Sequence, residues 1–362
     1  MVNYKQGIHS VSKVYGDMML RIYKASLYFI YILLVMELIA SLLIFLFRLD
    51  PEPVVPKSIG RFDARLGWSL KPLSVGYSDA TGSRIEYRIN SQGFRGKEVE
   101  YEKPKGVFRI ILLGDSRTFG FGCSIDKHFS TLLENYFKNT EIINLGVSGY
   151  GVDQELLMLK FEGLKYRPDL VLAYVVHYRN ERHIKTEVFG RAKPRFVLSD
   201  HKLELINFPV KKESKSFLRN INRCLSKRIK FYYLLNKSLN DIWSKVEADN
   251  NILDNTQNTA WHNKSEELFV LGARIIEEMG IIAKDNAAEF VLVTQVDDLE
   301  QRVRGKGLRV LSVSNLLSKR IYELPNGLCH INDAGNALLA QEIANFLKVN
   351  ALVPENYWEN NK

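Results

Sequence analysis

The most apolar stretch of the chain runs from Leu27 to Phe47 and is broken only by Glu37 and Ser41. At about 1.5 Å per helical residue it spans about 31 Å, enough to cross a hydrocarbon core. Arg48, Asp50, Pro51 and Pro53 follow it, with no run of small residues of the kind a signal peptidase cleaves. The pattern predicts an uncleaved anchor rather than a signal peptide. Pro51, Pro53 and Pro56 then mark a stiff linker. Short extended runs, Gly67–Pro72 and Ile85–Asn90, predict a small β-rich lead-in before residue 107.

From Val107 the pattern changes to strand and helix in alternation. Phe108–Leu113 is a continuous apolar run that ends in Gly-Asp-Ser, and a helical pattern follows over Phe129–Phe137. Glu141–Leu145 predicts a second strand and Val152–Tyr166 a second helix. Asp169–Val176 and Glu289–Thr294 predict further strands, and Ala334–Leu347 a closing amphipathic helix. Strands apolar on both faces, separated by helices, imply a doubly wound α/β fold with a parallel sheet. Such a fold takes its ligands at the carboxyl ends of its strands.

The expected organisation is a cytoplasmic segment 1–26, a transmembrane helix 27–47 and a linker with β-rich lead-in over 48–106. A main domain covers 107–350 and a tail 351–362. The main domain carries an insertion at about 187–265, basic and aromatic, which reads as a lid, an acceptor-binding surface or helical decoration. The helix 27–47 brings the lipid bilayer in as a partner. Lys5, Lys13, Arg21 and Lys24 precede it, which places the N-terminus in the cytoplasm and the rest outside. Glu37 is an intramembrane carboxyl and so a functional candidate, or one paired within a helix.

The net charge of +9 changes little. The basic runs Lys211–Lys215 and Arg219–Lys230 are interrupted by other residues, several of them apolar, and suit anionic lipid or an acidic polymer more than nucleic acid. The three cysteines, Cys123, Cys224 and Cys329, form no CxxC pair. Cys123 and Cys329 read as two buried thiols or, in an oxidising compartment, as a disulfide.

Candidate chemistry gathers at strand ends. Ser116 follows the first strand inside Gly114-Asp115-Ser116-Arg117-Thr118-Phe119-Gly120, where local amides favour the charge of an attacked carbonyl. Gly149 follows the second strand and Asn180 the third. His330 precedes the last helix, so a loop can return it to Ser116. A serine, a histidine and oxyanion donors are the minimum for acyl transfer through a covalent intermediate. His177 and His183 flank Asn180 as possible pocket residues.

Gly114-Asp115-Ser116 with Thr118-Phe119-Gly120, then Asn144-Leu145-Gly146-Val147-Ser148-Gly149, then Asn180, then His330 with Gly335, resemble four blocks of the SGNH (GDSL) hydrolases. Gly67-Trp68, Pro72 and Asn90–Gly96 resemble the lead-in of membrane-linked bacterial members. The resemblance implies a flavodoxin-like α/β sandwich with Ser116 as nucleophile, His330 as base, and Ser116, Gly149 and Asn180 as oxyanion donors. It implies neither metal nor cofactor. Two departures stand out. The third block reads Tyr178-Arg179-Asn180-Glu181, and Gly327 and Leu328 occupy the places where the family carries the triad acid. Asp115, Asn326 and Asp333 are nearby polar residues that stand as possible support. A dyad, an acid from elsewhere and a degraded enzyme all remain open. The leading expectation is an extracytoplasmic, periplasmic esterase acting on O-acyl, foremost O-acetyl, groups of a carbohydrate or another acylated molecule. The alternatives are an O-acyltransferase of envelope polysaccharide, a lipid-active esterase and a non-catalytic scaffold that kept the fold.

Overall fold

The computed structural model describes the chain except residues 1, 48–56, 80–83, 177–181, 201, 213–228, 236–237, 240–256, 318–321, 323, 325–329 and 360–362. The side chains of 2–17, 45–47, 57 and 257–267 are likewise left aside. The chain divides into two compact units, one of residues 52–213 with 258–362 and one of residues 1–51 with 214–257.

Among its described residues the larger unit has thirteen strands: β1 Gly60–Asp63, β2 Gly67–Leu70, β3 Val75–Ser78, β4 Ile85–Arg88, β5 Phe108–Gly114, β6 Thr140–Asn144, β7 Leu170–Val175, β8 Glu187–Val188, β9 Arg191–Ala192, β10 Arg195–Ser199, β11 Lys202–Ile206, β12 Glu289–Thr294 and β13 Arg309–Ser312. Five of them form one sheet in the order β13-β12-β7-β5-β6, every pair parallel. Counting only these five in chain order, the sequence across the sheet is 5-4-3-1-2, the flavodoxin-like arrangement. Every residue of β5 and β7 is buried. Alternate residues of β5 face opposite sides. Ile111 and Leu113 join a core with the Val152–Phe161 and Gln257–Asp285 helices. Ile110 and Leu112 join a second core with the Phe129–Glu134 and Asp333–Val349 helices. Each buried side chain of this size contributes roughly 1.5–3 kcal/mol. The strand order reverses at β5, between β6 and β7, and ligands of this fold bind in the crevice at that reversal.

The lead-in forms two antiparallel hairpins, β1–β2 and β3–β4. Ile59, Leu66, Trp68, Tyr87 and Phe94 belong to the same core as the sheet. The first part of the expected insertion is not helical: it holds two more hairpins, β8–β9 and β10–β11. The fifth sheet strand, β13, was not expected, because Arg309-Val310-Leu311-Ser312 offers only two apolar residues.

In the smaller unit one helix runs from Val2 to Phe47. Its stretch Met18–Ile44 is long and apolar enough to cross a membrane. Within the same unit the Glu37 carboxylate accepts hydrogen bonds from the backbone amides of Lys230 and Phe231, each at 2.9 Å. These residues open a helical turn over 230–235. Glu37 is thus an acceptor for the free amides of a helix start.

Candidate active site

Ser116 Oγ and His330 Nε2 lie 2.8 Å apart. Two hundred and fourteen residues separate them in sequence. The fold joins them because β5 ends at Gly114 beside the chain entering the Asp333–Val349 helix. Gly114 is required here: a Cβ at this position would sit 2.0 Å from Thr118 Oγ1. The chain can then turn sharply, and Asp115 caps the Ser116–Phe119 helical turn by accepting from the Arg117 amide at 3.0 Å. For the serine hydroxyl to donate to Nε2, the imidazole must be neutral and carry its proton on Nδ1. The ring of Phe121 packs against that of His330, with centroids 5.1 Å apart.

Neither the Ser116 nor the Gly149 amide makes a backbone hydrogen bond among the described residues. Gly149 lies at φ +88°, a left-handed conformation that glycine adopts without strain. The loop carrying it is tied to the nucleophile turn: Val147 N–H donates to Gly114 O at 3.1 Å, and Asn144 Nδ2 donates to Thr118 O at 2.6 Å. Asn180, the third expected donor, lies outside the described residues, as do His177 and Asn326.

Two arginines hold this turn from behind, and neither was singled out by sequence. Arg95, 2% exposed, donates to the carbonyls of Phe119 and Cys123 at 3.0 and 2.7 Å, and also to Gly120. Its guanidinium lies over the rings of Tyr87 and Phe119. Burial lowers it to about 10, and it stays charged at neutral pH. It reaches this position because Asn90 folds the lead-in loop, accepting from the Phe94 amide and donating to Lys97 O. The Asn90–Gly96 motif therefore serves to deliver an arginine. Arg182 Nη1 donates to Asp115 Oδ2 at 3.0 Å and to Tyr150 O at 3.2 Å. Asp115 thus supports the turn, accepting from Arg182 and from the Arg117 amide.

The remaining polar candidates occupy other posts. Asp333 pairs with Lys127 at 2.7 Å, and both side chains are more than half exposed. It opens the Asp333–Val349 helix with its side chain on the solvent side. His128 is fully buried, and burial pushes its imidazole down to about 3, so it is neutral. Its Nε2–H donates to Arg117 O at 3.0 Å, and Nδ1 accepts from Ser130. His183 is also buried, its pKa lowered by desolvation, and its Nε2–H donates to Leu268 O at 2.9 Å. It is bound into the core rather than aimed at a pocket. Lys193 and Asp153 form a wholly buried ion pair, with Lys193 also donating to Arg182 O. Glu155, beside Asp115 and Asp153, is raised well above the ordinary carboxyl value, first by burial and then by those two carboxylates. Cys123 is buried, and burial raises its thiol to about 12. Cys329 lies outside the described residues. Among the described residues no cluster of His, Cys, Asp and Glu is arranged to hold a metal ion.

No protein-family model and no curated protein matches the sequence. Solved structures do. A lipase/acylhydrolase from Enterococcus faecalis is 12% identical with a TM-score of 0.38, covering 71% of this chain and 100% of its own. A member of the lipolytic G-D-S-L family from Veillonella parvula is 11% identical, TM-score 0.34, covering 67% and 99%. An acetylxylan esterase from Geobacillus stearothermophilus, solved as a catalytic mutant, is 11% identical, TM-score 0.35, covering 68% and 95%. Likenesses this distant carry no substrate or activity to the present chain.

Proposed function

We propose that the chain is a serine esterase that removes O-acyl groups, of the O-acetyl kind, from a carbohydrate. The observation that carries this reading is the 2.8 Å contact between Ser116 Oγ and His330 Nε2. Ser116 Oγ attacks the ester carbonyl while its proton passes to Nε2 of His330. The oxyanion is met by the amides of Ser116 and Gly149 and by the side chain of Asn180. Collapse breaks the C–O bond, and His330 returns the proton to the leaving sugar hydroxyl. Water, deprotonated by the same nitrogen, then releases the acid and frees Ser116.

Hydrolysis of p-nitrophenyl acetate tests this. Ser116→Ala is expected to lower kcat by about 10⁴ or more, and Asn180→Ala by about 10²–10³ with little change in KM. Activity of Ser116→Ala close to wild type would rule the reading out. A rise in KM alone for Asn180→Ala would reassign Asn180 to substrate binding.

The helix holding Met18–Ile44 anchors the chain in the inner membrane of the cell, with the N-terminus in the cytoplasm and the hydrolase outside it, in the periplasm. A C-terminal reporter that works only in the cytoplasm is expected to be silent. An active reporter reverses the topology.

A further inference from the structure

Phe189 breaks a local rule. The register of the β8–β9 hairpin pairs Val188 with Arg191, which leaves Phe189-Gly190 as a two-residue loop. Both residues are left-handed, at φ +52° and φ +68°. Hairpin loops of this kind favour Asn or Asp followed by Gly. A phenylalanine there is strained, and the residue is 64% exposed. Backbone strain combined with an exposed aromatic side chain is a reason to look for function.

The hairpin is not loose at its root. Val188 is buried, and Lys193, just past the hairpin, is locked to Asp153. At Gly67, φ +84°, a Cβ would lie 2.4 Å from Ala192 O, so the hairpin backbone lies directly on β2. The tip is thereby fixed beside the candidate oxyanion site. A Cβ at Gly149 would sit 3.2 Å from Phe189 Cε2. The Arg182 guanidinium lies 5.5 Å from the Phe189 centroid, and the same guanidinium holds Asp115, the residue before Ser116. Two contacts therefore connect the exposed ring to the nucleophile turn.

We propose that Phe189 is the stacking platform for the sugar ring that bears the ester. The proposal rests on the esterase reading and names its substrate class. An aromatic face carries negative charge density and attracts the C–H groups on the apolar face of a pyranose. A long acyl chain instead takes an enclosing apolar cavity. Phe189 is a single open ring with Arg182 against it and with Arg191 over the neighbouring Trp68.

Phe189→Asn tests the platform, because Asn suits the left-handed position and removes only the ring. Its kcat/KM on acetylated xylo-oligosaccharides is expected to fall roughly tenfold through KM. Phe189→Trp is expected to retain the activity, and Phe189→Asn to lose several-fold more on the oligosaccharide than on p-nitrophenyl acetate. Equal loss on both substrates, or no loss on the oligosaccharide, would overturn the platform. So would a loss that grows with acyl length across p-nitrophenyl esters, which would make the ring an acyl contact. A wild type that hydrolyses nothing would defeat the esterase reading alone. The platform is then decided by titrating xylo-, manno- and gluco-oligosaccharides into the Ser116→Ala protein. Binding that Phe189→Asn abolishes supports it, and no binding of any of them overturns it.

Discussion

His128 shows what burial does to a single residue near the nucleophile. Its imidazole is held at about 3, far below its ordinary value near 6.5. The unfolded chain therefore binds a proton below pH 6.5 that the folded one refuses. That stability is present above pH 6.5 and drains away as pH falls toward 3. The variant His128→Gln is expected to show a shallower loss of Tm between pH 6.5 and 4 than wild type. An unchanged acid slope would show that another group controls it. Glu155 has the opposite sign. Its carboxyl is raised, so the folded state keeps a proton that the unfolded state releases above about 4.5, and stability falls as pH rises from there. Glu155→Gln, which keeps the neutral shape, is expected to raise Tm relative to wild type more at pH 8 than at pH 4.5. The nearness of Ser116 and His330 was expected from the resemblance of the blocks that hold them, the Ser116 block being the more specific. Arg95 and Arg182 were not expected. Each acts by holding a backbone or carboxylate remote in sequence, and nothing in an arginine's own surroundings announces that partner.

At the scale of elements, apolar runs revealed four of the five sheet strands to within a residue or two, because a strand buried on both faces must be apolar throughout. β13 escaped since it lies at the sheet edge and needs little apolar sequence. The β8–β11 hairpins escaped for another reason. β10 and β11 are only partly buried, and β8 and β9 have two residues each, too few to show a period. Arg95 links two elements, the lead-in loop and the nucleophile turn, and acts as a positioning residue. Arg95→Met is expected to lower kcat on p-nitrophenyl acetate by about tenfold or more while leaving KM nearly unchanged. A fall in Tm with normal kcat in the surviving folded protein would limit Arg95 to stability. In the other unit, Glu37 caps the start of 230–235. Glu37→Gln, which still accepts one hydrogen bond, is expected to protect that segment from proteolysis in detergent better than Glu37→Leu. Equal protection in the two variants would deny the cap a role.

The whole molecule is a flavodoxin-like α/β unit and a helical unit with an apolar span. The first places a serine at the reversal of strand order, at the carboxyl end of β5, where this topology opens a crevice. The second supplies a helix suited to a bilayer. Doubly wound topology was readable from alternation alone, whereas the meeting of Ser116 with His330 depended on how the chain before the Asp333–Val349 helix returns to the sheet. Everything proposed about catalysis turns on Ser116 being a nucleophile activated by His330. The most direct measurement is the intact mass of the protein after exposure to a fluorophosphonate, with peptide mapping of the adduct. The account predicts one adduct, on Ser116, formed quickly in the wild type, slowed by orders of magnitude in His330→Ala and absent in Ser116→Ala. Labelling that persists in Ser116→Ala, or that His330→Ala leaves at the wild-type rate, would contradict it.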